Sequence, residues 1–433
     1  MRSNSYLVKH FWTVALFFNL GVGIIFYGCS SSDSPMQSST GPSNVSGTVF
    51  EPPLEFDAGE NPLSIASGDF NGDNKIDLVV ASSRKQNGIS TSADGTLTLF
   101  QNTSSSSSRF PFVSSTITPT TEEWRQDIVS VDYTGDNITD LVVTHSDEDK
   151  IKFLLNDGSA NFYDNGSIEV GDVPLNIISG DWNNDNQTDL AVVNRDNSSV
   201  SILQNSNGVF SVSQTLSVNK RPIRAASGDW DADSDADLAV LLRDSTQVQI
   251  WLNSGTGSFS KKTTSYAVGS SPIDMITGDW NCDGNPDLAV SNSGDNTLSL
   301  IYGKGNGNFA SHVTINSGRG PGTMASADFN HDNKMDFVVG HRFLVSTPGV
   351  SLLTGDFSLT LSDTSSATGY ASSVSFAATT EEDGATPAEI VIIDADNDSK
   401  LDLLITLPLA KKLAVLFGKQ YTCLLYTSDA ADE

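Results

Sequence analysis

Residues 229–237 read Asp-Trp-Asp-Ala-Asp-Ser-Asp-Ala-Asp, which puts a carboxylate at positions 1, 3, 5, 7 and 9 of one short polar stretch. Crowding so many like charges costs free energy unless a cation sits among them. Oxygen ligands at alternating positions suit a hard divalent ion, and calcium accepts flexible multi-oxygen geometry best. The same grammar occurs seven times, at 69–77, 132–140, 181–189, 229–237, 279–287, 328–336 and 394–402. Position 1 is Asp69, Asp132, Asp181, Asp229, Asp279, Asp328 or Asp394. Position 5 is Asp73, Asp136, Asp185, Asp233, Asp283, Asp332 or Asp398, and position 9 is Asp77, Asp140, Asp189, Asp237, Asp287, Asp336 or Asp402. Position 3 is Asn71, Thr134, Asn183, Asp231, Asn281, Asn330 or Asp396, and each carries a side-chain oxygen. Acidic turns that merely solvate would scatter their acids; these keep fixed offsets. All these residues are therefore candidate Ca2+ ligands. The stretches with an acid at position 3, Asp231 and Asp396, should bind most tightly, and the one with Thr134 most weakly.

The elements that must hold such loops follow from their spacing. Successive first aspartates are 63, 49, 48, 50, 49 and 66 residues apart, which is the mark of a repeat architecture. Each unit has one script, seen clearly around the third loop. Residues 174–180 are an apolar stretch, 189–193 a β-branched run, 194–198 a polar turn, 199–203 an alternating run, and 208–210 a Gly-Val-Phe turn into a last alternating run. That is four short strands with turn chemistry between them, and no sustained helical period. Seven such units predict an all-β chain, a seven-bladed β-propeller of four-stranded antiparallel blades with calcium-binding hairpin loops. A linear solenoid is the runner-up. Residues 49–56 resemble the last strand of a blade, and the seventh unit lacks its outer strand. Closing the ring with that N-terminal strand removes two exposed edges. Insertions fall at 82–94 in the first unit and 342–389 in the sixth.

The motif D-x-[DN]-x-D-x-x-x-D followed by Leu or Phe resembles the FG-GAP and VCBS repeat families, whose best-known members form the propeller of integrin alpha subunits. The resemblance spans roughly 50–422. It implies that position 7 ligates through its backbone carbonyl, so that Lys75, Ile138, Gln187 and Lys334 are all allowed there. The family's usual glycine at position 6 is matched only by Gly284. Asn74, Asn137, Asn186 and Asn333 visit the left-handed region readily, whereas Ser234 and Ser399 do so less readily.

The rest of the chain sets the compartment. Net charge is −29; seven dications would add 14 and leave −15, which speaks against a nucleic-acid partner. Arg2 and Lys9, an apolar run over 11–27 and the ending Phe26-Tyr-Gly-Cys29 resemble a bacterial lipoprotein signal, with Cys29 as the lipidation site and the membrane reached through that anchor. Plain secretion is the alternative. The expected organisation is a signal over 1–29, a Ser-rich tether over 30–48, one propeller over 49–422, and a foreign tail over 423–433 that reads as translated sequencing adapter.

Other residues are candidates for function. The aromatics Phe70, Tyr133, Trp182, Trp230, Trp280 and Phe329 follow the first aspartate of their loops and are expected to pack between blades rather than to stack sugars. Arg195, Arg243 and Arg342 recur six residues after position 9, on the face opposite the loops. They are candidates for a bidentate anionic ligand against a background of local ion pairs. The five histidines show no metal spacing, and no nucleophile elbow is present. The expected function is a secreted or lipid-anchored surface module, monomeric, binding a glycan or protein ligand. A lyase-like polysaccharide enzyme, with His145 and His341 at equivalent positions, is the alternative.

Overall fold

The computed structural model describes residues 50–83, 85–86, 89–90, 95–104, 112–117, 125–317, 319–329, 335–341, 359–362 and 387–418. The N-terminal signal and tether, Cys29, the tail 423–433 and most of the insertion 342–389 lie outside them. Every regular element among the described residues is a strand.

The third unit shows why this repeat folds as it does. Strands Pro174–Gly180, Asp189–Asn194, Ser199–Ser206 and Val209–Ser217 form an antiparallel meander in chain order. The second strand is buried along its whole length, which its run of Leu, Ala and Val anticipates. It is covered on both faces by neighbouring sheets. The fourth strand shows mostly exposed residues, because it is the outer edge. The loop 181–189 joins the innermost strand to the second, so all the loops lie at one end of their sheets.

Among the described residues six four-stranded sheets of this kind are present, together with a three-stranded one made of Pro321–Ala327, Asp336–His341 and Leu359–Ser362. The repeats predict seven four-stranded blades; six are found. The sixth unit carries the longer insertion, and a fourth strand there would have to come from residues outside the described set. The innermost strands touch in chain order, with the three-stranded sheet seated between the fifth unit and the last, and the last unit touches the first. The ring is shut as the spare strand suggested. Leu54–Asp57 pairs antiparallel with Lys412–Leu416, Leu54 opposite Val415 and Asp57 opposite Lys412. A linear solenoid is excluded by that pairing.

The core is the set of interfaces between sheets. Trp182, Ala191 and Val193 pack with Ala225, Leu238 and Val240 of the next sheet. At the seam, Leu404, Leu413 and Val415 pack with Ile65, Leu78 and Val80. The position-2 aromatics belong here: Phe70 and Trp182 are 0 % exposed, so they are packing residues and not sugar platforms. Each meets a phenylalanine of the following sheet, as in Trp182 with Phe259 at 6.0 Å and Trp230 with Phe309 at 5.5 Å between ring centroids.

The residue two before each of the three tryptophans Trp182, Trp230 and Trp280 is a glycine: Gly180, Gly228 and Gly278. A Cβ on Gly228 would sit 2.6 Å from the Trp230 ring, and one on Gly278 2.8 Å from Trp280. In the other loops the position holds Gly68 before Phe70, Val131 before Tyr133, Ala327 before Phe329 and Ile393 before Ala395.

Candidate metal centre

Each loop wraps around its first carboxylate. In loop 69–77, Asp69 accepts the N–H groups of Gly72 at 2.8 Å, Asp73 at 3.1 Å and Asn74 at 2.8 Å. Asp73 in turn accepts the N–H of Lys75 at 3.0 Å. The later loops repeat this: Ser234 donates to Asp229 at 3.0 Å, Asp235 to Asp233 at 2.9 Å, and Ser399 to Asp394 at 2.8 Å. Such a wrap needs left-handed backbone at two positions. Position 6 supplies one, with Asn74 at φ 62°, Ser234 at 75° and Ser399 at 66°, so the two serine loops turn like the rest. Position 4 supplies the other, with Gly72 at 75°, Ala232 at 62° and Asn397 at 60°. This second requirement escapes a sequence reading because alanine there gives no warning.

The loops differ in what closes their centre. In the fourth loop, carboxylate oxygens of Asp229, Asp231 and Asp233 all lie within 4.8 Å of one another. The same holds for Asp394, Asp396 and Asp398 in the seventh. Burial and the neighbouring aspartates push the carboxyls of both Asp231 and Asp396 up. Asp231 Oδ1 is buried and has no hydrogen-bond partner. A buried lone pair facing two other carboxylates is the arrangement a hard dication satisfies. These two loops therefore fit Ca2+. In the seventh, the Lys400 ammonium is hydrogen-bonded to Asp398 and would have to move aside.

Where position 3 is asparagine, a neutral amide closes the ring of oxygens instead. Asn183 Nδ2 donates to Asp185 and Asn281 Nδ2 to Asp283, both at 3.0 Å. All three asparagines accept the position-5 N–H through Oδ1, Asn71 from Asp73 at 2.9 Å, Asn183 from Asp185 at 3.1 Å and Asn281 from Asp283 at 2.9 Å. Thr134 reaches Asp132 only at 3.4 Å. Asn330 and Asp332 of the sixth loop lie outside the described residues.

Position 9 has a different part. Asp77, Asp140, Asp189, Asp237 and Asp287 are 0 % exposed. Asp237 accepts the Trp230 N–H at 3.0 Å through one oxygen and the Asn253 N–H at 2.7 Å through the other. Asp189 does the same with Trp182 at 3.2 Å and Asn205 at 2.8 Å. Burial pushes both up, Asp189 to about 6 and Asp237 to about 7, against the lowering effect of those backbone donors. The clusters at Asp229 and Asp394 hold positions 1, 3 and 5 and not 9. Asp77, Asp189, Asp237, Asp287 and Asp402, named above as candidate ligands alongside the others, each clamp their loop to its own sheet through two backbone N–H groups.

The clamp continues into the neighbouring sheet. Asn253 Nδ2 donates to the Trp182 carbonyl at 2.8 Å, Asn205 to that of Tyr133 at 2.9 Å, and Asn156 to that of Phe70 at 2.9 Å. These asparagines were missed in the sequence, yet a signal existed: Asn156, Asn205 and Asn253 each lie sixteen residues after a position-9 aspartate.

Arg195 and Arg243 fall just past the second strands Asp189–Asn194 and Asp237–Leu242, at the end away from the loops. Arg195 donates to both oxygens of Asp196, at 2.6 and 3.1 Å, and so holds that carboxyl below its ordinary range. Arg243 is exposed, and Arg342 lies outside the described residues. The structure thus brings the loop carboxylates together but leaves the arginines as separate surface groups.

The FG-GAP-like repeat model matches four overlapping spans, 132–192, 181–240, 229–290 and 279–339, each opening on the first aspartate of a loop. The chain carries FG-GAP-like repeats over 132–339. Its repeat β-propeller is a generic protein-interaction fold, and the first and seventh loops extend the repeat beyond the matched spans. No curated protein sequence matches it. Among solved structures it is similar to BBS1N in complex with ARL6DN, soaked with mercury, at TM-score 0.58 and 11 % identity over 86 % of this chain and 98 % of that one. The lead-soaked form of that complex gives TM-score 0.56 with the same identity and coverage. Likeness at that identity speaks to fold alone.

Proposed function

We propose that this FG-GAP propeller is an extracytoplasmic, Ca2+-braced binding module, anchored through Cys29, that presents the face opposite its metal loops to a glycan or protein ligand. The observation that carries the calcium is the fourth loop, where three carboxylates converge on a buried, unpartnered Asp231 oxygen. The missing blade of the count belongs to the same reading: the three-stranded sheet is the seventh blade of a ring whose neighbours already flank it. A binding role accords with the similar fold of BBS1N, which was solved bound to another protein. The lyase alternative finds less support, because His145 and His341 are each 1 % exposed.

A glycan array probed with and without calcium, followed by a cleavage assay on every hit, tests this directly. Calcium-dependent capture with no cleaved product is expected, whereas turnover of a captured glycan would replace the binding module with the enzyme. Membrane fractionation adds the compartment: Cys29→Ala should move the chain from the membrane pellet to the soluble fraction, and an unchanged pellet would remove the lipid anchor.

A further inference from the structure

Every sheet runs its strands in a fixed sense between the two ends of the ring. In the third unit the innermost strand, Pro174–Gly180, ends at the metal loop and the second strand leaves it. The third strand returns to the loop end, and the fourth, Val209–Ser217, starts there and runs away from it. Leu54–Asp57 lies outermost in the last sheet, antiparallel to Lys412–Leu416. It therefore takes the place of a fourth strand and starts, like the others, at the loop end.

Contacts at both ends of this strand fix that sense. Ahead of it, Phe50 is bridged to Gly418, whose N–H donates to Asp402 of the seventh loop at 2.8 Å. The Glu51 N–H reaches the Phe417 carbonyl at 2.8 Å. The Phe50 ring meets Phe329, at position 2 of the sixth loop, with centroids 5.9 Å apart. Phe162, Phe210 and Phe259, at the starts of their own fourth strands, meet Phe70, Tyr133 and Trp182 in the same way, at 5.5, 6.1 and 6.0 Å. Phe50 thus fills the seat of the phenylalanine that follows a hairpin turn elsewhere. At the far end, Asp57 Oδ1 accepts from Lys412 Nζ at 2.7 Å, and the Ala58 N–H donates to the Lys411 carbonyl at 3.0 Å, in the turn away from the loops. The chain enters the ring on its metal-loop end.

We propose that the membrane-anchored ring stands with its metal-loop end toward the lipid and its opposite end outward. This rests on the reading of Cys29 as the anchor. About 20 residues lie between Cys29 and Phe50, and a Ser-rich chain of that length has a root-mean-square reach of about 25 Å. A seven-residue strand such as Pro174–Gly180 is about 23 Å long, which sets the height of the ring. With the loops inward, the linking stretch has only to meet the near end. With the loops outward, it must also climb the flank of the ring, which consumes nearly all of that reach. Holding a coil stretched costs conformational entropy, so the first orientation is favoured. The turns carrying Arg195 and Arg243 then face the medium from which a ligand arrives.

Energy transfer on vesicles tests this. The full, lipidated chain is placed on phosphatidylcholine vesicles that carry an acceptor dye on their headgroups, with calcium present. An azidophenylalanine replaces either Lys304 or Asp244 and is coupled to the donor dye. Lys304 is exposed in a turn at the loop end, where Gly307 donates its N–H to the Trp230 carbonyl at 2.7 Å. Asp244 is exposed in the turn between Asp237–Leu242 and Gln247–Asn253, at the other end. The Lys304 label should transfer the larger share of its energy. Equal transfer from the two, or more from Asp244, on a chain that floats with the vesicles would overturn the orientation and leave the anchor standing. A chain that does not float, or floats as well after Cys29→Ala, would remove the anchor and the orientation with it. Asn306 and Arg243, exposed at the same two ends, give a second pair of labels should the first disturb the fold.

Discussion

A chain carrying Asp237→Ala should lose about 3–6 kcal/mol of stability whether or not calcium is present. The substitution strips the acceptor from two buried N–H groups, those of Trp230 and Asn253, held at 3.0 and 2.7 Å. Hydrogen bonds to charged groups contribute roughly 1.5–3 kcal/mol each, and a donor left unpaired in the interior forfeits its hydration as well. The damage also spreads sideways, because Asn253 holds the carbonyl of Trp182 in the neighbouring sheet. Set against a typical stability of about 5–15 kcal/mol, that loss brings the ring near unfolding. The control is Asp233→Asn, four residues away in the same loop. Asp233 is exposed, and its hydrogen bond from Asp235 is open to water, so the change should cost no more than about 0.5–1 kcal/mol in chelator. Denaturant titration of both chains, with and without calcium, decides the matter. If Asp237→Ala were destabilising only in calcium, position 9 would be a ligand first, and the staple reading would fail.

How much of this was legible beforehand depends on whether a residue's role is written in its own loop or in the sheet next door. The strands, their order and the closing N-terminal strand all follow from hydrophobic period and repeat spacing, because both are local patterns. Position 9 was visible as invariant aspartate, but a ligand and a buried staple leave the same letter in the sequence. Only the burial of Asp237 and its two backbone donors separate them. The left-handed turn at Ala232 was hidden because strain at alanine is imposed by its neighbours and not announced by its type. Polar residues on the innermost strands went unseen for a further reason. Ser64, Asp127, Asn176, Arg224, Asp274, Thr323 and Glu389 each stand five residues before the first aspartate of a loop and share no chemistry, so no motif marks them. Asp127, Asn176 and Asp274 accept an N–H from the next sheet, a task that exists only once the ring has closed.

Calcium should raise stability by about 5 kcal/mol at concentrations near a hundred times the dissociation constant, mostly through two loops. One site saturated to that degree adds about 2.7 kcal/mol to the folded state. The fourth and seventh loops are the two whose position-3 acid joins positions 1 and 5 within 4.8 Å. Extracellular calcium modules bind at roughly 0.1–1 mM, so about 10 mM calcium reaches the required ratio at the tight end. The third and fifth loops should add little, since Asn183 and Asn281 already bridge their carboxylates with an amide at 3.0 Å. Repulsion among three acids is relieved by a dication and is absent where an amide stands between two, which sets the rank order. Replacing Asp231 and Asp396 together by asparagine turns the tight loops into copies of the third and fifth. In chelator that double variant should be as stable as the unaltered chain or slightly more so, because a repulsion is removed. In calcium it should lose most of the increment. Melting in calcium and in chelator, combined with calorimetric titration, reads both quantities. An unaltered chain that melts at one temperature in both buffers would end the calcium reading, while a double variant that keeps the full increment would move the ions to the asparagine loops.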